Sequence, residues 1–164
     1  FRYFSKILKE NKINFFLLGG TLLGAIRQES FAGRPTDIDI GIKFDDEKKL
    51  KKLFNKILKN GGMRIKLITL KDKTRKYQII FKSVLIDISV IKKLKYKKKI
   101  FWIGDSDDKK TIKFSYTCLQ KLISTKLYGR SFLSPSNPEF YLKQKYGINW
   151  RIPDKKQFFW KKIN

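Results

Sequence analysis

The chain has 164 residues, 41% of them hydrophobic, so it can bury one globular core without disulfides or a structural metal. It has no histidine and a single cysteine, Cys118, which excludes an intramolecular disulfide, an ordinary zinc site and any histidine-based triad. Its net charge of +25 favours anionic substrates or surfaces, although Lys far outnumbers Arg and is spread along the chain, as A+T-rich coding would also produce.

Phe1 to Asn11 reads as a helix with Phe4, Ile7 and Leu8 on one face. Ile13 to Leu18 is a continuous apolar run, expected to be a buried strand that stops at Gly19-Gly20. Thr21 to Gln28 then forms a short helix. The apolar stretch Ile13 to Ile26 is too short and too interrupted by glycine to span a membrane, which needs ~20 apolar residues. Glu29 to Thr36, with Gly33 and Pro35, reads as a loop. From Thr36 to Phe44 the pattern alternates: Ile38, Ile40 and Ile42 on one face, Asp37, Asp39 and Gly41 on the other. Asp45 or Asp46 can cap a helix carrying Leu50, Leu53, Phe54, Ile57 and Leu58, which Gly61-Gly62 ends.

Three strands are expected at Met63 to Leu70, Lys76 to Phe81 and Val84 to Ile91, joined as antiparallel hairpins. Ile100 to Ile103 and Thr111 to Phe114 add a further hairpin around Gly104 to Asp108. From Tyr116 the spacing of Leu119, Leu122, Ile123 and Leu127 predicts a helix ended by Gly129. Ser134 to Pro138 is a turn, Glu139 to Tyr146 another helix, and the tail from Trp150 is aromatic and basic. The order predicts an α/β (α+β) domain: a mixed β-sheet with helices packed on it, with a catalytic core over 1–115 and a helical C-terminal part over 116–164. The chain begins with Phe1 and its one methionine is Met63, so a longer parent chain is expected.

Without histidine, acid–base or metal chemistry must run on carboxylates. In Asp37-Ile38-Asp39 both acids project from one strand face. Carboxylates this close repel, and a divalent cation relieves the conflict while binding phosphate oxygens and water. Asp87 is the one charge in the apolar run Val84 to Ile91, and burial is costly unless a Lys, an Arg or a metal partners it. If Asp87 joins the pair, three carboxylates suit a two-ion site for in-line phosphoryl transfer. Gly19-Gly20-Thr21, between a strand and a helix start, allows close backbone approach and offers N–H groups to a phosphate. Arg27, at the end of that helix, is a further candidate phosphate partner.

These motifs resemble the nucleotidyltransferase superfamily. Leu18-Gly19-Gly20-Thr21-Leu22-Leu23-Gly24-Ala25-Ile26-Arg27, with Thr36-Asp37-Ile38-Asp39-Ile40-Gly41-Ile42, looks like its LicD/fukutin branch. Tyr141-Leu142, Tyr146-Gly147-Ile148-Asn149-Trp150 and Pro153 look like that branch's closing motif. The resemblance implies a transferase that takes a phospho-alcohol from CDP-ribitol, CDP-glycerol or CDP-choline to a sugar hydroxyl of a glycan and releases CMP. It implies Mg²⁺ or Mn²⁺ on Asp37 and Asp39, donor phosphates at Gly20 and Thr21, and Asp87 completing the metal site. Gly33-Arg34-Pro35-Thr36 stands where many LicD sequences carry Trp and extra acids. This is closer to the fukutin pattern and favours an alditol phosphate over choline.

Two other readings remain, the first of them on the same triad. A nucleotidyltransferase would attach a nucleotide to RNA, a small molecule or a protein. A non-catalytic module would grip anionic polymers or membranes through Lys92 to Lys99 and through Lys155 to Lys162 with Phe158, Phe159 and Trp160. On the preferred reading nucleic acid is not a partner. The acceptor glycan is compatible with a lipid-linked form, and the protein with a cytoplasmic location and peripheral contact with an anionic membrane face.

Overall fold

In a computed structural model the described residues are 1–33, 36–59, 63–69, 73–107 and 110–153. The chain runs α1 (Arg2–Glu10), β1 (Phe15–Leu17), α2 (Gly19–Gln28), β2 (Asp37–Lys43), a 3-10 turn (Phe44–Asp46) and α3 (Glu47–Lys59). There follow β3 (Met63–Thr69), β4 (Arg75–Phe81), β5 (Val84–Tyr96), β6 (Lys99–Asp107) and β7 (Lys110–Ser115). The chain then continues through α4 (Tyr116–Gln120), β8 (Leu122–Leu127), β9 (Arg130–Pro135) and α5 (Pro138–Tyr146).

β1 to β7 form one mixed sheet in the order β1-β2-β5-β4-β3, with β6 and β7 extending from the distal half of β5. β2 and β5 are parallel, whereas β1 with β2, β3 with β4 and β4 with β5 are antiparallel. The alternation in β2 sorts its residues as expected. Ile38, Ile40 and Ile42 are buried and belong to the same cluster as Ile86, Ile88 and Val90 of β5, Phe4 and Leu8 of α1, and Leu50, Leu53 and Phe54 of α3. Each such side chain contributes ~1.5–3 kcal/mol of apolar burial. Asp37, Asp39 and Gly41 take the opposite face.

Four expectations change. The helix expected from Thr21 begins at Gly19, so the two glycines form its first turn. The strand expected to end at Ile91 runs on into the basic run: Lys92–Tyr96 continue β5, Lys97 and Lys98 turn with positive φ, and Lys99 begins β6. Gly104 is not in a hairpin turn but at a bulge within β6, where a Cβ would collide with the Val90 carbonyl oxygen. The long helix expected from Tyr116 to Gly129 stops at Gln120, and β8 and β9 form a separate two-stranded antiparallel sheet.

The Leu119, Leu122, Ile123 and Leu127 spacing fits a helix. It is overridden because Tyr128 and Gly129, both at positive φ, make a two-residue hairpin turn whose twist matches the flanking strands. The hairpin packs by Phe132 against Phe1 and Phe15, and its tip docks on the end of α2, where the Tyr128 N–H donates to the Glu29 carbonyl. Gly61-Gly62, Pro35 and the basic aromatic tail from Lys155 lie outside the described residues.

Candidate active site

The parallel β2–β5 register sets Asp39 level with Asp87 and Asp37 level with Leu85. Level residues of neighbouring strands share a face at about 4.8 Å spacing. Asp37, Asp39 and Asp87 accordingly each offer a carboxylate oxygen within 4.8 Å of the others. Two parallel strands, distant in sequence, bring the three expected acids together.

The surroundings of each acid differ. Asp87 is only 3% exposed. Lys76 of β4 forms an ion pair with its Oδ2, while its Oδ1 is buried with no hydrogen-bond partner. The lysine partner weighed at the sequence level is therefore present, but it satisfies only one of the two oxygens. Asp39 Oδ2 accepts the Gly20 N–H at 2.8 Å, and the Asp39 N–H donates to Thr21 Oγ1 at 2.8 Å. Asp37 Oδ1 accepts the Thr36 hydroxyl at 3.4 Å. Burial, then the neighbouring Asp87 charge, push the Asp37 carboxyl above its usual range, against the opposing pull of Lys76, the Thr36 hydrogen bond and Lys145 of α5.

The Gly19-Gly20-Thr21 turn performs a task that the sequence did not disclose. Gly19 sits at φ 51°, and a Cβ there would fall on the Asp39 carboxylate. Its N–H donates to Tyr141 Oη at 3.1 Å, and the Gly20 N–H is held by Asp39. These two N–H groups, expected to receive a phosphate, are already engaged inside the protein. Thr21 is buried, and its hydroxyl accepts from the backbone of Asp39. Gly20 and Thr21 thus fix the position of Asp39, while Gly19 leaves room for its carboxylate. Arg27 lies roughly 10 Å further along α2 from Gly20 at the rise of an α-helix, and it makes no ion pair among the described residues.

Lys76, Lys145 and Tyr141 were not singled out at the sequence level as members of the site. A lysine alternating with apolar residues in a strand carries no signal that separates it from the many surface lysines here. Tyr141 stood in a recognisable C-terminal motif, and the structure shows the reach of that motif: fully buried and stacked on Phe114, Tyr141 meets the first glycine of the turn.

Chemically, the cluster can hold a divalent cation. Three carboxylates converge, one carries a buried oxygen with no hydrogen-bond partner, and another is driven toward its protonated form by burial and by the neighbouring Asp87 charge. All are hard oxygen donors, which suits Mg²⁺ or Mn²⁺ better than a soft-metal site.

No curated protein shows significant similarity to the chain. A family model described as LicD/FKTN/FKRP, nucleotidyltransferase domain, matches residues 12–137, well over half of the chain and including the whole acidic triad. The chain belongs to this family. Membership points to a transferase, of the phosphotransferase type that modifies glycans. No helix among the described residues is long and apolar enough to cross a membrane.

Proposed function

We propose that this LicD/FKTN/FKRP-family chain is a metal-dependent transferase that moves a phospho-alcohol from a CDP-activated donor to a hydroxyl of a glycan. The observation that carries this reading is the convergence of Asp37, Asp39 and Asp87, with the buried, unpartnered Oδ1 of Asp87 among them.

In this reaction the acceptor oxygen attacks the phosphorus that bears the alcohol. The bond from that phosphorus to the bridging oxygen breaks, CMP leaves with the bridging oxygen, and a phosphodiester joins glycan and alcohol. Asp37, Asp39 and Asp87 would hold Mg²⁺ or Mn²⁺, which when bound supplies positive charge to the donor phosphates. The protein's own part is orientation. Gly20 and Thr21 fix Asp39, Lys76 fixes Asp87, and Tyr141 fixes the turn that carries Gly20. With no histidine in the chain, the proton of the acceptor hydroxyl goes to a carboxylate of this cluster. The Gly33 to Thr36 segment favours ribitol or glycerol phosphate over phosphocholine.

The test is phosphorus NMR of the protein with Mg²⁺, oligosaccharide acceptors and, in parallel reactions, CDP-ribitol, CDP-glycerol, CDP-choline or a nucleoside triphosphate. The expected result is CMP together with a new phosphodiester on the glycan. Attachment of a nucleoside monophosphate to the acceptor, with pyrophosphate released from a nucleoside triphosphate, would instead establish a nucleotidyltransferase.

A further inference from the structure

β2 ends at Lys43, level with Ile91, while β5 runs on to Tyr96 and pairs with β6. Beyond the end of β2 lies a cavity of about 490 Å³, walled in part by Ile91 and Trp102 and bordered by Lys43, Phe44 and Lys93. Ile91 and Trp102 are buried. Trp102 is fixed in place: its Nε1–H donates to the Tyr116 carbonyl at 2.8 Å, and its ring stacks on Tyr116. Two ammonium groups converge on that ring, Lys43 at 5.6 Å and Lys93 at 5.4 Å from its centroid. Strand register brings them there, since Lys43 is level with Ile91, Lys93 is two positions on, and Trp102 is level with Lys93. Contact with a ring does not neutralise an ammonium, and among the described residues neither lysine has an ion pair. Asp45, the one carboxylate among the described wall residues, is exposed and pairs with neither. Lys92 also borders the cavity and has an interaction of its own.

We propose that this notch binds a phosphate monoester, such as a sugar phosphate, at a place separate from the acidic triad. Two ammonium groups held against one ring repel each other, and beside an apolar floor their field is weakly screened, so a compact dianion relieves the repulsion. The lysines act as point charges, which suit a phosphate; the fork of an arginine, which matches a planar carboxylate, is absent from the described wall. Phe44, 49% exposed at the rim, offers apolar ring surface to the organic part of the ester. Lys43 lies four residues beyond Asp39 on β2, ~13 Å away at the rise of a strand. Between them the sheet face is closed, because the side chains of Phe16 and Leu18 press on Gly41. A phosphate held in the notch is therefore not one bound at the triad, and the proposal does not depend on the metal-site reading.

Calorimetric titration in chelator, which leaves the triad without a metal, tests the proposal apart from activity. Glucose 6-phosphate, inorganic phosphate and glucose would each be titrated at constant ionic strength into four proteins. These are the parent, Lys93→Gln, the pair Lys43→Gln with Lys93→Gln, and the pair Lys52→Gln with Lys56→Gln, which removes the same charge from exposed positions on α3. Thermal melts show that each is folded. The expected result is one glucose 6-phosphate per parent chain, bound more tightly than inorganic phosphate, and no binding of glucose. The α3 pair should match the parent, whereas Lys93→Gln should bind more weakly and the Lys43 and Lys93 pair about tenfold more weakly or worse. If the double variant at the notch does not fold, Lys93→Gln against the α3 pair decides. No binding by the parent, equal weakening in the notch and α3 variants, or an ester that binds no more tightly than inorganic phosphate would overturn the proposal.

Discussion

Asp39 and Asp87 stand level with each other on two parallel strands separated by almost fifty residues of sequence, so the geometry of the candidate site is a property of sheet register. A slip of one residue would turn one of them into the apolar core. The isoleucines that alternate with them, Ile38, Ile40, Ile86 and Ile88, hold that register by burial. Packing on one face of the sheet thereby determines chemistry on the other.

The two glycines of the turn should respond differently to a methyl group. Gly19→Ala would place a Cβ on the Asp39 carboxylate and force an L-residue to φ 51°, a backbone cost of ~1–2 kcal/mol before the clash is counted. At Gly20 the nearest atom to a new Cβ is Asp39 Oδ2 at 3.5 Å, an ordinary contact. Gly19→Ala is expected to abolish transfer and lower the melting temperature, whereas Gly20→Ala should fold normally and retain metal binding. Melts and Mn²⁺ titration of the two variants check this.

Thr21→Val keeps the volume and removes the oxygen that receives the Asp39 N–H. An unpaired buried N–H costs ~1–3 kcal/mol. The variant should therefore be destabilised by about that amount in urea unfolding and should lose affinity for Mn²⁺, while Thr21→Ser should recover most of both.

The Asp37 carboxyl is held above its usual value of 3.8. A folded-state value above the unfolded one means that ionisation opposes folding at neutral pH, and that the penalty disappears as pH falls below 3.8. Asp37→Asn, in chelator, should melt above the parent at pH 7. The difference should shrink through the acid range and vanish below the unfolded-state value. With Mn²⁺ present the order should reverse, since only the parent retains its full ligand set. Melting curves across pH with and without metal give the answer.

On the core face, Glu47 is almost fully buried and receives both Arg75 and the Tyr77 hydroxyl, the latter at 2.7 Å. Glu47→Ala would leave the partly exposed Arg75 and the Tyr77 hydroxyl without their shared acceptor, a loss of ~1–3 kcal/mol. Tyr77→Phe should cost about 1 kcal/mol. Both changes should act on stability with little effect on Mn²⁺ affinity in the folded fraction, because Glu47 and the triad lie on opposite faces of the sheet.

Much of this arrangement was legible in the chain. Strict alternation around Asp37 and Asp39 and the lone charge in the run around Asp87 showed which faces they take. Short separators gave the β3–β4 and β4–β5 hairpins. Legibility failed where tertiary contacts override local spacing. Leu119 to Leu127 fits helical periodicity, yet the Tyr128-Gly129 turn folds the segment back as a strand. It failed also where a residue's role depends on its partner. Glycine-rich turns before helices commonly meet phosphates, but here Asp39 and Tyr141 take the N–H groups of Gly20 and Gly19. Lys76 could not be told from other lysines until strand pairing placed it beside Asp87.

The most direct test is calorimetric titration of CDP-ribitol, CDP-glycerol, CDP-choline and ATP into the protein with Mg²⁺, repeated with Asp39→Ala. The account predicts that a CDP-alcohol binds, that binding requires the ion, and that Asp39→Ala removes it while the variant remains folded. Binding of ATP alone, or equal binding of a CDP-alcohol by the parent and Asp39→Ala, would contradict it.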